Sequence, residues 1–275
     1  MTLAATPPSA TGAPGRWVFE AMDTVFSLAV PEPHRLDLQT VVADIMADVA
    51  MTESLLSVFR PDSEISRWRL GLIPDARLSA QTRAVMDACN QAEQVTNGLF
   101  SARRPGGYDP TGYVKGWALA RAAKRMDDAG IASYCLNGGG DIIARGVGPT
   151  GTPWRLGVAH PYRPGEVATI VSAPPDDPRP IAVATSGTSQ RGAHVSNPID
   201  GWRPTRSAVT VVGHDIELAD MAATAALAAG RDGREASARL VQRLGLEAFG
   251  FDEDQYPWWT PGMPRLALLP PSPSL

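Results

Sequence analysis

Two oxygen-bearing side chains, Asp220 and Thr224, lie four residues apart in the stretch Glu217-Leu-Ala-Asp-Met-Ala-Ala-Thr-Ala-Ala-Leu-Ala-Ala-Gly230. The stretch is rich in alanine, a strong helix former, and ends on a glycine that suits a helix C-terminus. On a helix the two side chains stack on one face. A carboxylate and a hydroxyl are hard oxygen donors, and this spacing lets them share one small cation. Mg²⁺ takes oxygens at about 2.0–2.1 Å and usually keeps positions for water and phosphate. The surrounding alanines leave room for a bulky ligand. The same pair also reads as an acidic residue near a helix N-terminus and a threonine bonded back to its own helix. The stretch alone leaves both readings open.

Other residues carry chemistry of their own. His194 follows Ala184-Thr-Ser-Gly187 in a turn-rich loop, whereas His34, His160 and His214 show no nearby carboxylate pattern. A neutral imidazole with a pKa near 6.5 can take a proton from a hydroxyl at neutral pH; a surface histidine fits the loop equally well. Lys115 is either a cation for phosphates or a solvated helix lysine. Asp109 precedes Pro110 and reads as a turn residue. Asn137-Gly-Gly-Gly-Asp141 can be a hairpin turn, but three glycines exceed what a turn needs, which suggests close backbone approach to a ligand. No Gly-x-Gly-x-x-Gly joins a strand to a helix.

The elements that must position these residues follow from periodicity. Arg16 to Val30 alternates as a strand pair or one long strand, interrupted at Met22-Asp23-Thr24. Leu36 to Phe59 carries apolar residues at helical spacing. Ser63 to Trp68 reads as a turn-like segment. Ser79 caps a helix running to about Thr96, Leu99 to Thr111 is a loop, and Tyr113 to Ala129 is helical. Strands are expected at Ser133–Leu136, Asp141–Arg145, Trp154–Ala159, Glu166–Ser172, Ile181–Thr185 and Ala208–Val212. A helix from Arg234 to Leu244 and a last strand, Glu247–Phe251, follow the Asp220 helix. Early helices, a mostly antiparallel or mixed sheet and late helices make an α+β fold. Residues 16–252 form one catalytic domain, 1–15 a disordered leader and 253–275 a C-terminal tail.

The 275 residues are 44% hydrophobic and 20% charged, with a formal net charge of −4. That suits a soluble globular protein and gives no sign of a nucleic-acid partner. An acidic protein that handles phosphates needs a local cation. Cys89 and Cys135 lack metal-ligand spacing and argue for a reducing compartment. No apolar run approaches the roughly 18 residues needed to span a bilayer, and the first fifteen residues lack the pattern of a signal peptide. The expected location is cytoplasmic.

Seven segments, in order, resemble the ApbE-type FAD:protein FMN transferases. Met22-Asp-Thr-Val-Phe26 resembles the family's Met-Gly-Thr-x-Phe, and Leu56-Ser-Val-Phe-Arg-Pro-Asp-Ser-Glu-Ile-Ser-Arg67 is close to its consensus. Gly98-Leu-Phe100 is similar to Gly-Ala-Phe, Asp109-Pro-Thr-Gly-Tyr-Val-Lys-Gly116 to Asp-Leu-Gly-Gly-Ile-Ala-Lys-Gly, and Gly139-Gly-Asp141 to Gly-Gly-Asp. Ala184-Thr-Ser-Gly187 with His194 resembles Ala-Thr-Ser-Gly and its following His. Leu218-Ala-Asp-Met-Ala-Ala-Thr224 resembles the metal segment Ala-Asp-Ala-Leu-Ala-Thr.

The resemblance implies an ApbE-like fold and transfer of FMN from FAD to a Ser or Thr of an acceptor flavoprotein, with release of AMP. It implies that Asp220, Thr224 and a backbone oxygen at Gly112 hold Mg²⁺. Met22, Phe59, Leu99, Phe100, Asp109, Lys115 and Val195 would contact FAD, and His194 would be the base. For Met22 and Phe59 the residues alone favour ordinary core. Three departures stand out: Asp23 for the usual Gly, Ser101 for the Asp that commonly follows Phe, and Asn197 for the Asp of His-Ile-Ile-Asp-Pro. Two other functions fit the same segments: hydrolysis of FAD to FMN and AMP, and non-catalytic FAD binding or carriage.

Overall fold

A computed structural model describes residues 4–6, 15–32, 37–188 and 195–268. The chain opens with β1 (Ala4–Thr6), β2 (Gly15–Ala21) and β3 (Thr24–Val30), then α1 (Leu38–Leu56), α2 (Glu64–Arg69) and α3 (Ala80–Val95). Two short strands, β4 (Arg103–Arg104) and β5 (Gly107–Tyr108), precede α4 (Thr111–Asp128). Next come β6 (Tyr134–Gly138), β7 (Asp141–Arg145), β8 (Arg155–Ala159), β9 (Val167–Ser172), β10 (Ile181–Gly187) and β11 (Ala208–Gly213). The chain continues through α5 (Ile216–Ala229), α6 (Arg234–Arg243), β12 (Glu247–Phe251), β13 (Pro257–Trp259) and β14 (Ala267–Leu268).

Nine strands form one sheet in the order β1-β2-β3-β6-β7-β10-β11-β12-β13, each neighbouring pair antiparallel. Alternation fixes its first strands: Trp17, Phe19 and Ala21 face inward while Arg16, Val18 and Glu20 face out. The middle strands β7 and β11 are buried on both faces and read as continuous apolar runs. One face carries the helices and the larger core. A second core, with Ile142, Val183, Phe249 and Met263, lies between the sheet and the three-stranded sheet β14-β9-β8.

Four expectations need correction. Ser63 to Trp68 is not a turn: Ser63 caps α2, its Oγ accepting the Ser66 N–H at 3.1 Å. One and a half turns are too short for apolar periodicity to show. The loop from Leu99 to Thr111 contains the pair β4–β5. Phe251 does not end the sheets, because β13 pairs with β12 and β14 with β9 inside the stretch expected to be a tail. At the other end, β1 pairs with β2 inside the expected leader. Among the described residues no helix is long and apolar enough to cross a membrane.

Helix α5 is the centre of the helical layer, packed by α4, α6, β10 and β11. Every one of its residues except Glu217 and Leu218 is buried. Asp215 starts it, its Oδ1 accepting the N–H groups of Glu217 and Leu218. Alanine on every side lets its neighbours come close. The tightest contact is at Gly116 of α4, where a Cβ would lie 2.9 Å from the Ile216 carbonyl oxygen and 3.0 Å from the Asp220 Cβ. Gly116→Ala should therefore destabilise the fold. Overpacking costs about 1–3 kcal/mol, which outweighs the roughly 1 kcal/mol by which alanine favours a helix over glycine. Urea unfolding of the two proteins checks this; equal midpoints would show that α4 and α5 are not held this close.

Candidate active site

The face of α5 that carries Asp220 and Thr224 points at the first turns of α4. Both side chains are buried. Oδ2 of Asp220 accepts the Gly116 N–H at 2.8 Å. In a regular helix that N–H is aimed at the Gly112 carbonyl; the carboxylate draws on it and weakens its claim on that oxygen. Gly112 itself lies against Thr224, a Cβ there falling 3.4 Å from the threonine Oγ1 and 3.2 Å from the Phe100 ring. Asp220, Thr224 and Gly112 are thus brought together.

A second buried carboxylate completes the cluster. Asp141 heads β7 with only 1% of its surface exposed. It is ion-paired to the Lys115 ammonium, and its Oδ1 accepts the Thr185 N–H from β10 at 2.9 Å. The Thr185 hydroxyl is bonded to that of Thr210 on β11 at 2.9 Å. Burial pushes the Asp220 carboxyl up to about 7, and the charge of Asp141 adds to the rise; Lys115 and the Gly116 N–H pull it back. Beside them the Tyr113 hydroxyl donates to Oε2 of Glu217, clamping α4 to α5.

The residues fit a small hard cation. A carboxylate held in a dry site beside another carboxylate gains from added positive charge. The nearby donors are a hydroxyl and a peptide carbonyl, both hard oxygens. Among the described residues no group of three or more His, Cys, Asp and Glu side chains gathers as a metal cage. The set is one carboxylate plus neutral oxygens, which suits Mg²⁺ shared with water and a phosphate-bearing ligand.

The residues expected to contact FAD fall into two groups. Met22 and Phe59 both reach the C-terminal end of α1, where the Met22 N–H donates to Oε1 of Glu53 at 3.1 Å. The core reading fails for Phe59, which is 77% exposed. Met22 holds φ at 54°, a strained conformation for a bulky residue. Phe100 and Val195 are buried and Leu99 is half-buried. Asp109 does the work of a turn residue, its Oδ1 accepting the Thr111 N–H at 3.0 Å at the start of α4.

Two of the three glycines before Asp141 answer to the protein itself. A Cβ on Gly138 would strike the Phe26 ring, and one on Gly139, at φ 63°, would strike Thr24. Only Gly140, at φ 98°, has open space around its Cβ position. His194 lies outside the described residues. His160 packs on the Phe251 ring at 4.8 Å. His214, which showed no carboxylate in sequence, has Nε2 3.9 Å from Asp177. Sequence reasoning gave no role to Asp141, Thr185, Tyr113 or Glu217. Asp141 and Thr185 did lie in segments that resemble the family, and Asp141 heads the apolar run Ile142-Ile-Ala144.

A pH effect follows from Asp220. Its folded pKa is raised, so the folded state binds more protons than the unfolded one between 3.8 and about 7. Stability of the metal-free protein should fall as pH rises through that window, and Asp220→Asn should flatten the fall. Thermal unfolding in chelator across that range measures it; an unchanged slope in the mutant would refute the assignment.

Comparison with known proteins identifies the fold and the family. The sequence model of the ApbE family matches residues 103–249. An FAD:protein FMN transferase of Vibrio cholerae is 28% identical over 130 residues, 43% of this chain and 37% of that protein. One of Rhodobacter capsulatus is 33% identical over 146 residues, 50% of this chain and 26% of that protein. These alignments cover well under half of each relative's length. The solved structure of the flavin transferase ApbE from Vibrio cholerae superposes with a TM-score of 0.74 at 18% identity, covering 92% of this chain and 100% of that one. The apbe protein of Thermotoga maritima gives 0.77 at 17%, covering 92% and 99%. The family model spans more than half of this chain and the solved ApbE structures share its fold: this chain belongs to the ApbE family.

Proposed function

We propose that this protein is an FAD:protein FMN transferase that moves FMN from FAD to a Ser or Thr of an acceptor flavoprotein and releases AMP. The observation that carries the reading is the cluster of Asp220, Thr224 and Gly112 beside the Lys115–Asp141 pair, on a chain of the ApbE family. Curated relatives bear the name FAD:protein FMN transferase, which supports the same chemistry here. The exposed Phe59 ring finds a reason in an aromatic ligand.

In this reading Asp220, Thr224 and the Gly112 carbonyl hold Mg²⁺, which when bound neutralises charge on the diphosphate of FAD. Lys115 offers its ammonium to the same phosphates. Met22, Phe59, Leu99, Phe100, Asp109 and Val195 contact FAD in this reading, and Asp109 also fixes the entry to α4. The acceptor hydroxyl oxygen attacks the FMN phosphorus, the bond from that phosphorus to the AMP oxygen breaks, and AMP leaves. His194 takes the hydroxyl proton. Unpaired Cys89 and Cys135 support a cytoplasmic setting.

The reading is tested by incubating the protein with FAD, Mg²⁺ and cell extract and looking for flavin fluorescence on a new protein band in a denaturing gel. Asp220→Asn should keep the fold and lose Mg²⁺-dependent AMP release. The free protein should bind FAD more tightly than FMN, with AMP competing; equal affinities and no competition would favour a flavin carrier.

His194→Ala should retain FAD binding and lose at least about 10²-fold in flavinylation, the lower end for a positioned base. Slow AMP release to water can persist in that variant. Unchanged flavinylation would make His194 a bystander.

A further inference from the structure

The two carboxylates of the site, Asp141 and Asp220, are both buried, and one ammonium, that of Lys115, acts on both. A lone ion in a dry site is costly, so the ammonium must settle with one of them. Asp141 is the better anchored. It sits at the head of β7, and its other oxygen is held by the Thr185 N–H from β10, so two sheet strands fix its position. Lys115 is one residue from Gly116, whose N–H holds Asp220. A four-carbon side chain is flexible enough to serve either carboxylate. In the structure it pairs with Asp141.

We propose that Asp141 is a positioning residue: it holds the Lys115 ammonium away from Asp220, leaving Asp220 to Mg²⁺ and the ammonium to the diphosphate of FAD. The inference rests on the Mg²⁺ reading above. The charges support it. With both carboxylates ionised, they and the one ammonium leave −1, a divalent cation makes this +1, and the FAD diphosphate, with two negative charges, returns it to −1. Each arrival thus meets a site of opposite charge. Without the charge on Asp141, the ammonium would fall to Asp220 and stand where the cation belongs.

The test is a calorimetric titration of Mg²⁺ into the protein without FAD, at one fixed pH, for charge-changing variants. Asp141→Asn keeps an oxygen for the Thr185 N–H but removes the charge and the oxygen that accepts from the Lys115 ammonium. It should weaken Mg²⁺ binding by about tenfold or more, the scale of one charge in a buried site. Lys115→Met removes the competitor and should tighten binding by a similar factor. The double variant should return to within about threefold of the native protein, because the two charge effects cancel.

A merely structural role for Asp141 and Lys115 predicts the opposite pattern, with each change weakening Mg²⁺ and the double variant weakest. That result overturns the proposal. Should Asp141→Asn fail to fold, the sign of the Lys115→Met change decides alone. Asp220→Asn separates the two levels. If it abolishes Mg²⁺ binding while the order above fails, only the role of Asp141 falls. If native protein and Asp220→Asn bind alike or not at all, the metal reading falls and this inference with it.

Discussion

A carboxylate buried in an all-round apolar helix is the constraint on which the rest of this structure depends. Asp220 sits in α5 among residues that are nearly all buried. Removing a charge from water costs several kcal/mol unless partners replace the water. The partners come from α4, and they arrive only because Gly116 lets the two helix axes approach. The Gly116 N–H then reaches the carboxylate, Gly112 lies against Thr224, and Lys115 stands within electrostatic reach. A side chain at Gly116 would separate the donors from the charge they serve.

The sheet supplies the other half of the site and keeps it separate from the second core. Strand β7 delivers Asp141 to the helical face, and β10 holds it there through the Thr185 N–H. Their apolar residues on the opposite face, such as Ile142 and Val183, pack beneath the small sheet. Chemistry and the second core therefore lie on opposite sides of the same strands. Period-two alternation is the physical reason one strand can serve both.

The departures from the family pattern acquire local explanations. Asp23 occupies a position with φ 57°, and aspartate is among the few residues besides glycine that tolerate it. Ser101 is buried, its hydroxyl donating to Glu93 at 3.0 Å and accepting the Arg103 N–H at 3.1 Å; a carboxylate there would meet that of Glu93. Asn197 donates from Nδ2 to the Ala228 carbonyl at 3.3 Å, at the negative end of α5, where a carboxylate could not donate. Asp200, a few residues on, pairs with Arg231. The chain following His194 is thus tied to the end of the same helix that bears Asp220 and Thr224.

The sequence by itself determined what periodicity and local spacing encode: the long helices, most strands, the α+β class, and the Asp220–Thr224 pair on one helix face. These depend on neighbours in the chain, so they are legible in it. It did not reveal α2, which is too short to repeat a pattern, nor β13 and β14, which exist because partner strands 6 to 98 residues away accept them. It left Gly138 and Gly139 between a hairpin turn and a ligand contact, because their neighbours Phe26 and Thr24 come from a strand more than a hundred residues earlier. It left Phe59 in the core, although an aromatic beyond the last helical turn is buried only if something covers it. Above all it could not pair Lys115 with Asp141 or set Asp141 beside Asp220. Charge interactions in a dry site are decided by distance in space, and only the packing of α4 and α5 on the sheet decided those distances.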